Sequence, residues 1–418
     1  MRKLGIVALG AAAALTLAGC GTGGGGESAD GGQITVWVVG TDTPDDARTY
    51  LKDTFEAENE GWTLTVEEKT WADVSDTYAA ALQSNDSPDV VEVGNTQTAS
   101  FADQGLFLPI TDLRDDLGGD DFLPGLEESA TYDGELYAVP YYAGGRIVFY
   151  SQQVLGDTPL PTTLDEYVAA GTALKTDTRS GIWAPGRDWY NALPYVWAHG
   201  GFIAEQDGDE WTAGFSSDGG IKGLTQLQEV YLNASIAAKD GDETDPQVPF
   251  CAGETAFLSA PAWVQWSITA PADAEAPGCP DTFGSDLGAF PLPGLEAGET
   301  APIFAGGSNM AVATKSANPE QAKAALAIIT SSEYQEIMAE NGLTPGIISA
   351  AAALPDTEIA KAQATALENS KVTPTTPKWA EVEAAQIIQE ALVKIAQGGD
   401  VATIATELDA QIEEILNG

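Results

Sequence analysis

The sequence predicts an α/β fold in two lobes that opens with a parallel sheet. Two observations carry this. Residues 33–94 alternate strand-like and helix-like patterns over short connections, the order of a parallel sheet with helices on its faces. The chain has 418 residues, beyond the size at which one hydrophobic core keeps growing, so two lobes are expected. A hydrophobic fraction of 44% and ten tryptophans supply both cores and separate the chain from disordered sequences.

Gln33-Ile34-Thr35-Val36-Trp37-Val38-Val39 is β-branched and apolar and breaks at Gly40, the pattern of a buried strand. Residues 45–59 start acidic and set Tyr50, Leu51 and Phe55 at helical spacing. Residues 64–68 alternate as a second strand, 71–83 read as a helix, and 89–93 follow Ser87-Pro88 as a third strand. In open sheets of this kind ligands sit at the carboxyl ends of the strands. The loops at 40–43 and 94–97 are therefore the first places to look for a site. Residues 137–142 and 146–150 are strand-like, with Gly144-Gly145 between them marking a bend where the chain is expected to cross between lobes. Residues 161–283 are more helical. Residues 303–313 read as a strand pair around a polar turn, 318–341 as one helix opened by Asn-Pro, and the last forty residues as two amphipathic helices around Gly398-Gly399. No internal repeat is present.

The beginning of the chain has its own logic. Arg2 and Lys3 precede an apolar run from Leu4 to Ala18 that closes on Leu17-Ala18-Gly19-Cys20. That layout is a secretory signal peptide over residues 1–20, shorter than the roughly 20 apolar residues of a membrane span. Its end resembles the bacterial lipobox. The resemblance implies acylation of Cys20 (palmitate or a similar chain) and a protein anchored by lipid at the extracytoplasmic face of the cell membrane. Residues 21–32 are dominated by glycine and read as a flexible tether.

Composition excludes several partners. Asp and Glu number 63 against 18 Lys and Arg, a net charge of −45, which repels nucleic acid and anionic lipid. With Cys20 lipidated, Cys251 and Cys279 are left in an oxidising location, where a disulfide is expected over two free thiols. His199 is the only histidine, too few for the usual zinc sites, and no EF-hand loop is present, so neither metal nor other cofactor is expected. G-x-S-x-G, H-E-x-x-H and the phosphate-binding loop are missing. So many carboxylates place some pair at glycosidase spacing by chance. A secreted carbohydrate-active enzyme is accordingly the least favoured reading.

Several stretches, in order, resemble the extracellular solute-binding proteins of bacterial ABC sugar importers, the maltose-binding-protein-like group. They are Ser87-Pro88-Asp89-Val90-Val91-Glu92 running to Leu106-Phe107-Leu108-Pro109, and Gly134-Glu135-Leu136-Tyr137-Ala138-Val139-Pro140. Pro161-Thr162-Thr163-Leu164-Asp165-Glu166 follows, with Leu164 where that group usually has Trp. Phe250-Cys251-Ala252-Gly253-Glu254-Thr255-Ala256-Phe257 with Pro261-Ala262-Trp263, and Phe304-Ala305-Gly306-Gly307-Ser308-Asn309, complete the set. The resemblance implies a two-lobed periplasmic-binding-protein-like fold, each lobe a mostly parallel sheet flanked by helices. The first lobe would comprise 33–142 plus 302–347 and the second 147–285 plus 350–418, with a hinge near 143–146, 286–301 and 348–349. It further implies a monomer that closes on a sugar between the lobes, passes it to the permease subunits of an importer driven by an ATPase, and performs no catalysis.

A sugar offers hydroxyls at its rim and an apolar C–H face, so its site needs amides, carboxylates or Arg together with flat aromatic rings. Asn95 and Gln97 follow the third strand, with an Asn-capped turn as the plain alternative. Asp188, Trp189 and Tyr190 match a position of the resembling group that supplies a carboxylate and an aromatic, although both rings could equally be core. Trp263, with Trp266 as its rival, and Trp379 match stacking aromatics. Gly307, Ser308 and Asn309 offer backbone N–H groups and side chains, or else form a simple turn. Tyr141 and Arg146 complete the candidates. Arg146 must be paired or face the cleft, and Glu92 shares that ambiguity. The ligand expected from this inventory is a neutral oligosaccharide stacked on Trp189, Trp263 and Trp379; a peptide- or polyamine-binding relative of the same fold is the alternative.

Overall fold

The structure, a computed structural model, describes residues 31–418 except 41, 72, 73, 75, 76, 209, 275 and 276. The expected signal peptide, Cys20 and most of the expected tether lie outside the described residues. Strands β1 (Gln33–Val39), β2 (Thr63–Lys69), β3 (Val90–Gly94) and β4 (Ala138–Gly144) build the first lobe with β9 (Gly306–Val312) and β10 (Thr344–Pro345). Their order across the sheet is β10-β4-β9-β3-β1-β2. The second lobe is built on β5 (Arg146–Ser151), β6 (Ser180–Ile182), β7 (Thr255–Pro261) and β8 (Leu287–Phe290), ordered β8-β5-β7-β6.

The parallel pattern read at the start of the chain is present: β1 runs parallel to β2 and to β3. Both sheets are mixed: β6 runs parallel to β7, while β9 is antiparallel to β3 and β4, and β5 is antiparallel to β7 and β8. The reason is topological. Strands β4 and β5 are consecutive but belong to different lobes. The first sheet is completed by β9, which returns from the second lobe in the reverse direction, and in the second sheet β5 enters from the first lobe against the direction of β7 and β8. Both β4 and β5 are buried along their whole length, which explains their nearly unbroken apolar sequence.

The chain crosses between lobes at Gly145, again between Phe304 and β9, and a third time before the helix Glu358–Leu367, which packs on β5 and β8. The expected hinge at 286–301 is corrected, because residues 287–290 are β8 and lie inside the second sheet. Likewise 348–349 is not a hinge: Ser349–Ala353 is a 3₁₀ turn against the first lobe.

Three local readings also change. Residues 303–313 are not a hairpin. Ile303–Phe304 pairs with Ser370–Lys371 in the second lobe, whereas β9 joins the first sheet. Gly307 allows this, with φ of 150° and no room for a side chain, since a Cβ there would meet the Tyr142 carbonyl oxygen at 2.4 Å. Residues 318–341 form two helices, Pro319–Ile329 and Ser332–Glu340, because the Ser331 side chain caps the second by accepting from the Tyr334 amide. The C-terminal region has three helices, Trp379–Ala385, Ile387–Ala396 and Val401–Asn417, the first break set by left-handed Gln386. Cys251 and Cys279 are joined, with Cα atoms 5.4 Å apart, tying the helix Gln247–Cys251 to the loop before Phe283.

Candidate functional site

Between the lobes lies a cavity of about 950 Å³ lined by both. On the first-lobe side its wall is made by the carboxyl ends of β1, β3 and β4 and the start of β9: Asp42, Gly94 to Gln97, Tyr142, Gly306 to Ser308, with Trp71 projecting at 44% exposure. Asn95 is held in place by its amide, which donates to the Ala305 carbonyl at 2.9 Å. Gln97 lines the cavity with a buried Oε1 that has no hydrogen-bond partner among the described residues, an acceptor that a ligand donor would satisfy.

Beneath this wall sits Glu92, fully buried in β3, with Oε2 accepting from the Val39 amide at 2.7 Å. Burial pushes its carboxyl up to about 7, against the hydrogen bond from the Val39 amide that pulls the other way. Asp42, which accepts from the Tyr142 hydroxyl at 3.2 Å, is also raised, again mainly by burial.

The second-lobe wall is aromatic and charged. Trp189 and Tyr190 begin the helix Trp189–Ala198, 4.3 Å apart between ring centroids, with Phe304 4.9 Å from Tyr190. Trp263 follows the end of β7 and lies against Gly144, where a Cβ would meet its six-membered ring at 1.9 Å. Arg146 lies 2.7 Å from Glu243 and 4.9 Å over the Tyr190 ring. Its Nη1 makes no well-aligned hydrogen bond among the described residues, so the contact is ionic. Glu383, half-buried on the helix Trp379–Ala385, accepts from the Thr96 hydroxyl at 3.2 Å across the cleft. Burial raises its carboxyl to about 7.

Two lobes joined by three crossings over a ring-lined, polar-rimmed cavity are a ligand-binding architecture, and comparison with known proteins agrees. Residues 51–368 match the family described as bacterial extracellular solute-binding protein. The chain belongs to this family. It is 31% identical to the diacetylchitobiose binding protein DasA of Streptomyces coelicolor, over 99% of both chains. It is 24% identical to the galactooligosaccharide-binding protein of Bacillus subtilis, over 91% of this chain and 90% of the relative. The fold matches the GacH receptor of Streptomyces glaucescens at a TM-score of 0.77 and 21% identity, covering 92% of this chain and 98% of that one.

Within this solute-binding fold, Asn95, Gln97, Arg146, Trp189, Tyr190, Trp263, Gly307 and Ser308 line the cavity. Four expected site residues do not. Tyr141 is in the first core, its hydroxyl shared with Thr43 and Tyr334 at 2.8 Å each. Asp188 caps the helix Trp189–Ala198 by accepting from the Asn191 amide, and lies 3% exposed beneath the wall. Asn309 is fully buried and donates to Thr98 and Ser129. Trp379 is fully buried in the second core, 6.1 Å from Trp189. In Tyr141 and Asn309 the strand period decides the outcome: their neighbours Tyr142 and Ser308 take the cavity-facing positions. Trp71, Asp42, Glu243 and Glu383 are wall residues not singled out from the sequence. Asp42 was within reach, because it belongs to the loop after β1.

Proposed function

We propose that this protein binds a sugar, an oligosaccharide, between its lobes and delivers it to the permease subunits of an ABC importer. The carrying observation is the cavity itself: rings from opposite lobes, Trp71 and Trp263, border a space lined by carboxyl, amide and hydroxyl groups. Rings suit the C–H face of a pyranose, and the polar groups suit its rim. The ligands for which the relatives are named support this class, diacetylchitobiose and galactooligosaccharide among them. In this reading the chain binds and hands over and does no chemistry. It works as a monomer at the extracytoplasmic face of the membrane, held by acylated Cys20, with Cys251 and Cys279 oxidised there.

The test is thermal unfolding against a panel of mono- and oligosaccharides. A ligand that binds only the folded state raises the melting temperature, by about 2.7 kcal/mol of stabilisation at a hundredfold excess over Kd. No shift with any saccharide removes the sugar reading. Separately, Cys20→Ser releases the protein from the membrane fraction; unchanged fractionation removes the anchor.

A further inference from the structure

The charge in the cavity is out of balance. Three carboxyl side chains line it, Asp42, Glu243 and Glu383, against one guanidinium, Arg146. Arg146 is already committed: Glu243 lies 2.7 Å from it and its face rests on Tyr190. Among the described residues, that leaves Asp42 on one lobe and Glu383 on the other with no basic partner. Asp42 accepts from the Tyr142 hydroxyl and Glu383 from the Thr96 hydroxyl, at 3.2 Å each, and both donors are neutral.

Both carboxyls are half-buried in the open cavity, so a ligand that fills it removes their remaining water. Taking an ionised carboxyl out of water without a counter-charge is costly. A neutral ligand would have to bear that cost or take the carboxyls protonated. A ligand with an ammonium group cancels it. We infer that the saccharide carried by this protein bears a protonated amine, as a hexosamine unit does, and that Asp42 and Glu383 receive that charge from opposite lobes. The inference rests on the sugar reading above and sharpens it, departing from the neutral ligand expected from sequence. Burial raises both carboxyls, so each has most to gain from a cation that stabilises its ionised form.

The experiment is calorimetry at neutral pH with matched β-1,4-linked oligomers of glucosamine, N-acetylglucosamine and glucose, with maltooligosaccharides and spermidine alongside. The first three series differ only at C2. Free-amine oligomers bind about tenfold or more tighter than their acetylated and neutral counterparts, the worth of one charge-assisted hydrogen bond. Only their binding weakens as salt rises. Glu383→Gln and Asp42→Asn each bring the ratio of amine to acetylated affinity towards one. If acetylated or neutral oligomers bind as tightly as amines, this inference falls and the sugar reading stands. If spermidine binds and no saccharide does, or nothing binds, the sugar reading fails and the inference with it.

Discussion

The first-lobe wall of the cleft is a row of strand ends, while the second-lobe wall is made of helix starts and loops. Asn95, Tyr142 and Ser308 come from three neighbouring strands of one buried sheet, so their spacing is set by ladder hydrogen bonds. Arg146 begins β5 and Trp263 follows β7, but Trp189, Tyr190, Glu243 and Glu383 are placed by side-chain packing and by the Arg146–Glu243 pair. The rings lie mostly on this second, packed wall. What separates a wall ring from a core ring there is a single layer: Trp189 touches both the cavity and Trp379, and Trp379 touches only the core.

The sharpest way to break that distinction is to remove each ring. Trp379→Ala empties a fully buried site and should cost about 3–5 kcal/mol of stability, read in denaturant unfolding, while the folded fraction still binds ligand. Normal stability with lost binding would move Trp379 to the wall. Trp263→Ala should do the converse, weakening saccharide affinity by about 2 kcal/mol, roughly thirtyfold, with the unfolding midpoint little changed. Calorimetry beside the same unfolding assay separates the two.

A smaller effect probes the sheet wall through Glu92. Its carboxyl keeps a proton up to about 7 when folded, against an ordinary value of 4.5. The folded chain therefore holds more protons than the unfolded one between those values, and stability falls as pH rises through that window. Glu92→Gln retains an acceptor for the Val39 amide and cannot ionise. Its stability relative to the native protein should rise from pH 5 to pH 8 by about 2–3 kcal/mol. A difference independent of pH would mean that the native carboxyl is ionised in the fold.

The sequence made the sheet wall more legible than the packed one, and the physics explains why. Strand ends announce themselves by period and by a following Gly or Asn, so Gly94-Asn95 and the crossing at Gly144-Gly145 could be read directly. The motif Thr162-Thr163-Leu164-Asp165-Glu166 was also legible, and its chemistry is a helix cap: the Thr163 side chain accepts from the Glu166 amide, and the Glu166 carboxylate accepts from the Thr162 amide. Glu243 was not legible, because it reaches Arg146 across 97 residues of sequence and no local pattern records such a pairing. Asp188 misled because a helix-capping carboxylate and a ligand carboxylate occupy the same position, the last residue before a helix. The reading of 303–313 as a hairpin failed for a related reason, since two short strands on either side of a crossing carry the same pattern as two strands of one turn.

Strand β9 has a further consequence for how the molecule is assembled. It lies between β3 and β4 in space but follows them by well over a hundred residues along the chain. Until it arrives, β3-β1-β2 ends in an open edge and β4 has no neighbour on that side. Such long-range pairing is slow to form, because the loop must close before any contact rewards it. A chain still being synthesised at residue 300 thus holds an unfinished first lobe, and the oldest part of the protein waits for one of the newest before it can lock.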